Sequence, residues 1–231
     1  MPLIIKNLSY YPEENIKIID KISYTFMEGL TYSIIGKSGS GKTTFLKTLN
    51  NLLHYEGIIT YKNKNILDYS PPLLRRTILY VPQEPILFGS TVNEDLAILS
   101  KFKIYRNRPL KLAQLDNYLD LFNLNKEVLN KNTNELSGGE KQRIGLIKAL
   151  LINPDVFLFD EPTAALDMHT ENLFIKSIKT ITDEKIIISV SHSKEVINNA
   201  NIKLFFLKGK IIGEKNNIID DIYLKNFLEN G

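Results

Sequence analysis

Residues 30–43 read Leu30-Thr31-Tyr32-Ser33-Ile34-Ile35-Gly36-Lys37-Ser38-Gly39-Ser40-Gly41-Lys42-Thr43, and this stretch decides the fold. Leu30–Ile35 reads as a strand that ends at Gly36, and a helical pattern runs from Lys42 to about Leu52. Between them, Gly36 to Thr43 fits G-x-x-x-x-G-K-[ST] in full. Glycines there permit positive φ and let backbone N–H groups approach phosphate oxygens. The helix that follows turns its positive end toward the same anion. Lys42 then reaches the β- and γ-phosphates, and the Thr43 hydroxyl binds Mg²⁺. The pattern points to a bound nucleotide but does not separate a kinase, a GTPase, a transport ATPase or a helicase.

Working outward, Leu3–Asn7 and Ile22–Phe26 read as strands before this stretch, and Ile58–Tyr61 and Ile78–Val81 after it. From Thr91 to Leu151 apolar positions recur at helical spacing, as in Leu112, Leu115, Leu119 and Phe122. Strands return at Val156–Phe159, Ile186–Val190 and Lys203–Leu207, with a helix between the first two, and Ile218–Leu228 reads as a closing amphipathic helix. A strand-rich α/β body is therefore interrupted by a helical insert at roughly 86–154. Such alternation favours a mainly parallel sheet covered by helices.

Composition removes several chemistries. None of the 231 residues is cysteine, which excludes thiolate zinc sites, iron–sulfur clusters, thiol nucleophiles and disulfides. Lysine and arginine number 29 against 26 acidic residues, and a net charge of +3 is too small to mark a nucleic-acid footprint. No basic segment leading into a long apolar run opens the chain. The longest apolar runs, such as Val156–Phe159 and Ile186–Ile188, fall far short of the roughly 18 residues of a spanning helix. A cytoplasmic protein is the expectation, and the abundance of lysine, isoleucine and asparagine suggests AT-rich bacterial coding.

Val156-Phe157-Leu158-Phe159 runs directly into Asp160-Glu161. The carboxyl end of a buried parallel strand is where α/β proteins bind ligands. Asp160 there can hold Mg²⁺ opposite the phosphate loop, and Glu161 can act as general base toward an attacking water. Leu136-Ser137-Gly138-Gly139-Glu140-Lys141-Gln142-Arg143 opens the last helix of the insert. Ser137 suits an N-cap and Glu140 completes a capping box, while Gly138 and Gly139 leave the helix start bare. A bare helix N-terminus suits a second anion contact. The chain's own phosphate loop already surrounds one face of the nucleotide, so this second loop calls for another nucleotide or another chain.

Leu136–Arg143 resembles the signature sequence of ATP-binding-cassette (ABC) ATPases without departure, and other motifs of that family follow in order. Gln83, in Val81-Pro82-Gln83-Glu84-Pro85, resembles the glutamine that contacts Mg²⁺ and the water. Ala165-Leu166-Asp167 resembles the dimer-facing aspartate loop, and His192 the switch histidine near the γ-phosphate. Tyr11, before Pro12, resembles the aromatic that stacks on adenine, with Tyr10 a close rival. The resemblance spans about 10 to 193. Two departures stand out: Ala164 occupies a position where many members have serine, and Ser193 one where many have an acid. His54 and His169 stand in no acidic or histidine cluster and read as surface or loop residues.

The resemblance implies an α/β P-loop NTPase fold with a mainly parallel central sheet, an N-terminal antiparallel β-subdomain and an inserted α-helical subdomain. It implies one ABC domain over 1–231, with a core at about 1–85 and 155–231 and a helical subdomain at about 86–154. ATP and Mg²⁺ are the implied cofactors. Lys42, Gln83, Glu161 and His192 are the implied catalytic residues, and Thr43, Gln83 and Asp160 the metal contacts. Tyr11, Gly36, Lys37, Ser38, Gly39, Ser40, Gly41, Lys42, Thr43 and Thr44 would hold one nucleotide. Ser137, Gly138, Gly139 and Asp167 would face the nucleotide of a second copy. The implied protein powers a membrane transporter from the inner face of the membrane, as an ATP-bound homodimer on a separate permease chain.

Ile86, Leu87 and Phe88, within Glu84 to Leu96, suit docking of a permease's coupling helix and equally suit insert core. Phe88-Gly89-Ser90-Thr91-Val92, Arg106-Asn107-Arg108-Pro109 and Asn130–Arg143 resemble the ATPase subunit of bacterial iron-export ABC systems. An import cassette would share the same site. A non-transport ABC ATPase would usually carry two cassettes or long insertions, and a P-loop kinase would not need Leu136–Arg143. With 39 residues after His192, a sizeable fused regulatory domain is not expected.

Overall fold

A computed structural model describes residues 1–14, 16–105 and 110–230, so the Arg106-Asn107-Arg108-Pro109 stretch lies outside the described residues. Two sheets organise the chain. The first is antiparallel, in the order β2-β1-β4-β5, and joins β1 (Leu3–Tyr10), β2 (Ile19–Phe26), β4 (Glu56–Tyr61) and the short β5 (Lys64–Asn65). The second has the order β10-β9-β3-β8-β7-β6. It contains β3 (Leu30–Ile35), β6 (Ile78–Val81), β7 (Val156–Asp160), β8 (Ile186–Val190), β9 (Ile202–Leu207) and β10 (Lys210–Lys215). Every pairing in it is parallel except β9 with β10. Strands β7 and β8 are buried at all positions, as continuous apolar runs between two covered faces should be.

The helices are α1 (Lys42–Leu49), α2 (Pro71–Thr77), α3 (Val92–Lys101), α4 (Leu115–Leu121), α5 (Gly138–Ile152), α6 (Met168–Ile181), α7 (Lys194–Asn199) and α8 (Asp221–Asn230). Helix α1 lies in the core that joins the two sheets, where Phe45 meets Phe206 at 5.6 Å and Phe26 meets Tyr32 edge-on at 4.8 Å. A second core packs α3, α4 and α5 with α6 and β7 through Leu119, Phe122, Ile147, Phe157 and Phe174. Thus α3 to α5 stand between β6 and β7 in sequence and share apolar contacts with the central sheet.

Several boundaries differ from the sequence expectation. Strand β1 runs on to Tyr10 and β2 begins at Ile19, because they pair across irregular registers that no alternation announces. Helix α1 stops at Leu49 because Asn51 takes a left-handed φ of 52°, which asparagine tolerates better than most residues. Helix α2 carries little signal in sequence because it opens on Pro71-Pro72, a start that the missing N–H groups permit. Strand β10 is a mostly exposed edge with little apolar alternation. Helix α8 begins at Asp221, not Ile218, and packs Leu224, Phe227 and Leu228 against Ile35, Ile197 and Phe205. The carboxyl ends of β3, β7 and β8 deliver Gly36, Asp160-Glu161 and His192 to one edge. Among the described residues no helix is long and apolar enough to cross a membrane.

Candidate nucleotide site

The loop after β3 is held open by its backbone. Gly39 and Gly41 take φ of 76° and 102°, where a side chain would strain the chain. Gly41 is the N-cap of α1 and supplies no side-chain cap, so the first amides of that helix lack an internal partner. Gly36 has a different reason: an added Cβ would lie 2.3 Å from the Phe206 carbonyl oxygen. The Lys42 ammonium folds back and donates to the carbonyls of Gly36 at 2.7 Å and Lys37 at 2.8 Å. Burial pushes this lysine's pKa down, and the nearby Glu161 and Asp160 carboxylates partly oppose that. The Ser40 hydroxyl is buried and finds no partner among the described residues. An orphaned hydroxyl and unpartnered helix amides are what an anionic ligand would satisfy.

These groups line a cavity of about 540 Å³ that includes Ser38, Lys42, Thr44, Glu161 and His192. The Thr43 hydroxyl, also on this wall, donates to Asp160 Oδ1 at 3.0 Å, and the Tyr80 hydroxyl donates to Asp160 Oδ2 at 2.8 Å. Asp160 is only 5% exposed. Glu161 follows it with a φ of 49°, a costly conformation for a residue with a Cβ, and costs of this kind persist where the surroundings enforce them. The Glu161 N–H donates to the Val190 carbonyl at 2.9 Å. His192 Nε2 stands 3.5 Å from Glu161 Oε1. The strand ends therefore bring Lys42, Thr43, Asp160, Glu161 and His192 together.

The signature segment is placed elsewhere. Ser137 Oγ accepts the Glu140 N–H at 3.2 Å and Glu140 Oε2 accepts the Ser137 N–H at 2.9 Å, which is the reciprocal capping box expected. Gly138 faces open space. Gly138 and Gln83 line a separate cleft of about 440 Å³ with Ala164 and Ala165, and no phosphate-loop residue lines it. Within this chain, neither Ser137–Gly139 nor Gln83 is brought to the Lys42 cavity. Asp167 caps α6 by accepting the Thr170 N–H at 2.9 Å and the Thr170 hydroxyl at 3.0 Å. These bonds hold its carboxyl below the usual range.

The remaining residues divide clearly. Lys37 donates to the Glu229 carbonyl at 2.7 Å, so its ammonium is engaged with α8. The Tyr10 ring packs against the core, whereas Tyr11 is 37% exposed, with the Lys17 ammonium 5.5 Å from its ring centroid. Lys17 and Ile18 line the nucleotide cavity beside it. His54 and His169 are exposed.

Sequence reasoning missed six contributors, Lys17 and Ile18 among them. Lys208 and Gly209 line the cavity from the β9–β10 turn, where the Gly209 N–H donates to the Ser40 carbonyl at 3.1 Å. Tyr80 holds Asp160, and Gln142 joins three loops. Of these, only Gln142 lies within a segment that the sequence singles out, Leu136–Arg143.

A phosphate loop between β3 and α1, a histidine just past the end of the neighbouring strand β8 and an acidic end on buried β7, one strand further out, define a P-loop nucleotide-binding cassette. The family model described as ABC transporter matches residues 19–164, and the chain belongs to that family. It is 34% identical over 214 residues to an export ATP-binding/permease protein of Rickettsia bellii, covering 90% of this chain and 37% of the relative. The chain thus spans little more than a third of that relative's length. It is 34% identical over 204 residues to an iron export ATP-binding protein of Escherichia coli, covering 87% of this chain and 89% of that protein. Among solved structures, a dimeric ATP-binding cassette in a post-hydrolysis state with ADP and phosphate superposes with a TM-score of 0.77 at 26% identity. That match covers 93% of this chain and 98% of the other.

Proposed function

We propose that this chain is the ATP-binding and ATP-hydrolysing subunit of an ABC transporter, acting as a head-to-tail pair on a separate permease chain. The observation that carries this reading is that the two halves of the site line separate clefts. The Lys42 cavity and the Ser137–Gly139 helix start open on different clefts. A second copy can supply its signature segment to this chain's cavity and receive the same in return. Both copies then close over two ATP molecules, with Asp167 and Ala165 at the seam. The dimeric cassette that superposes on this chain supports the arrangement.

The chemistry is phosphoryl transfer to water, which needs positioning and charge stabilisation. Lys42 exchanges its two carbonyl partners for the β- and γ-phosphate oxygens. The amides of Gly39 to Thr44 and the Ser40 hydroxyl hold the phosphates. Glu161 accepts a proton from the attacking water, and His192 steadies the γ-phosphate at Glu161's side. Tyr11 stacks on adenine, since the Tyr10 ring is committed to the core.

Thr43 and Asp160 present hard oxygens 3.0 Å apart, a donor set that suits Mg²⁺. Among the described residues no group of three or more histidine and acidic side chains is placed to hold a metal ion by itself. Phosphate and water oxygens would complete the shell. Bound there, Mg²⁺ would neutralise charge developing on the β- and γ-phosphates.

An apolar groove of about 630 Å³ between Leu79–Val81 and Gly145–Ile152 offers the permease a seat. Ile86 and Phe88 on its wall are 63% and 72% exposed, while Leu87 turns into the insert core, so the two roles considered for this segment are divided among its residues. Docking there places the cassette on the inner face of the membrane. The match along nearly all of the E. coli iron export ATP-binding protein supports metal export as the transport task. Purified chain should hydrolyse Mg-ATP, and Glu161→Gln should bind ATP but turn over about 10²-fold more slowly. Wild-type turnover in Glu161→Gln would overturn the assignment of Glu161.

A further inference from the structure

Asp160 is held from two sides, and only one of them belongs to the phosphate loop. Thr43 occupies Oδ1 and Tyr80 occupies Oδ2. Tyr80 is half-buried on β6, the strand next to β7, and pairs in register with Leu158. From there its side chain reaches two residues along β7 to the carboxylate. The same side chain lines the apolar groove, together with Pro85, Phe88 and Ala149.

We propose that Tyr80 is a positioning residue for Asp160: its hydroxyl fixes the carboxylate so that the other oxygen faces Thr43 and the cation. This rests on the reading of Thr43 and Asp160 as the Mg²⁺ contacts. A buried carboxylate with one oxygen unheld can rotate about its last bond, and a hydrogen bond to that oxygen removes the freedom. Partners one step behind a metal ligand commonly govern metal affinity by about 10- to 100-fold. The location also gives the side chain a second contact. A segment seated in the groove touches the ring whose hydroxyl orients Asp160, so groove and cation site share one residue.

The experiment compares the full chain with Tyr80→Phe and Asp160→Asn by calorimetric titration with ATP, first in EDTA and then in excess Mg²⁺. The tightening of ATP binding by Mg²⁺ is the readout. Tyr80→Phe keeps the ring and should match wild type in EDTA, but should lose about tenfold of the Mg²⁺ effect. Asp160→Asn should lose the effect entirely. If Tyr80→Phe retains the full Mg²⁺ effect while Asp160→Asn loses it, the positioning role is refuted. Equal weakening of Tyr80→Phe in EDTA and in Mg²⁺ also refutes it, since that is the mark of a purely structural side chain. If Asp160→Asn retains the effect, the metal reading itself fails and the proposal with it.

Discussion

Replacing Gln142 by leucine removes a single buried amide that joins three loops of the site. Gln142 is 3% exposed on α5. Its Nε2 donates to the carbonyls of Gln83 at 3.3 Å and Glu161 at 3.1 Å, and its Oε1 accepts the Ala165 N–H at 3.1 Å. Leucine fills the site with apolar atoms and removes every polar contact of the amide. Each such bond contributes about 0.5–1.5 kcal/mol net. The bonds are long and Ala165 is exposed, so the lower half applies and the sum is about 2 kcal/mol. For a domain of this size that lowers the melting temperature by about 4–8 °C. The functional effect should be sharper than the structural one. Glu161 sits in a conformation its surroundings must enforce, and Gln142 holds its carbonyl. Loss of that hold should cut kcat by about tenfold, as small misplacements of a reacting group do. ATP affinity should stay within about twofold, because Gln142 does not line the phosphate cavity. Thermal unfolding, steady-state ATPase rates and ATP titration measure the three quantities. A fall in melting temperature with unchanged kcat would refute the argument, leaving Gln142 as ordinary packing.

Ser193, where many family members have an acid, caps α7 and donates its hydroxyl to Glu171 on α6. Aspartate caps a helix as well as serine does, so Ser193→Asp should be harmless to capping. It should nevertheless slow turnover about fivefold by setting a carboxylate against Glu171 and disturbing His192, and Glu171→Gln should restore the rate in the double variant. Steady-state ATPase measurements on the single and double variants decide this, and an unaffected single variant contradicts it. Glu140 is held at about 2, below its ordinary 4.5, first by Lys131 and then by the Ser137 N–H. A depressed carboxylate stabilises fully above its unfolded value and loses that contribution as pH falls toward the folded one. Between pH 4.5 and about 2 the melting temperature of wild type should therefore fall more steeply than that of Glu140→Gln. Gly36→Ala forces a Cβ to 2.3 Å from the Phe206 carbonyl and should weaken ATP binding at least about tenfold by titration.

The sequence is most legible where one residue type has one physical use. The strand–loop–helix course around Gly36 to Thr43 could be read because glycines, a lysine and a hydroxyl at that spacing suit few other turns, and Gly39 and Gly41 do take positive φ. The capping box at Ser137 and Glu140 was legible because both partners lie within one turn, and the structure forms it. Strands β7 and β8 announced themselves as unbroken apolar runs. What stayed hidden depended on partners distant in sequence. Tyr80 is separated by 80 residues from the carboxylate it holds, and Gln142 by 59 from Gln83. The Ser40 carbonyl meets Gly209 from a hairpin whose outer strand is exposed and lacks clear alternation. Tyr10 and Tyr11 are adjacent and chemically equal, and only burial separates them. Helix α2 begins at two prolines, which local propensity reads as a turn.

The central claim is that each nucleotide cavity is completed by a second copy of the chain. Its most direct test is the mass of Glu161→Gln in solution, measured by light scattering after size exclusion, without nucleotide and with saturating Mg-ATP. The two-copy site predicts that Mg-ATP converts a species of one chain mass, 26.5 kDa, into one of twice that mass, and that Ser137→Phe abolishes the conversion. A Glu161→Gln protein that binds Mg-ATP and keeps the mass of a single chain would contradict it.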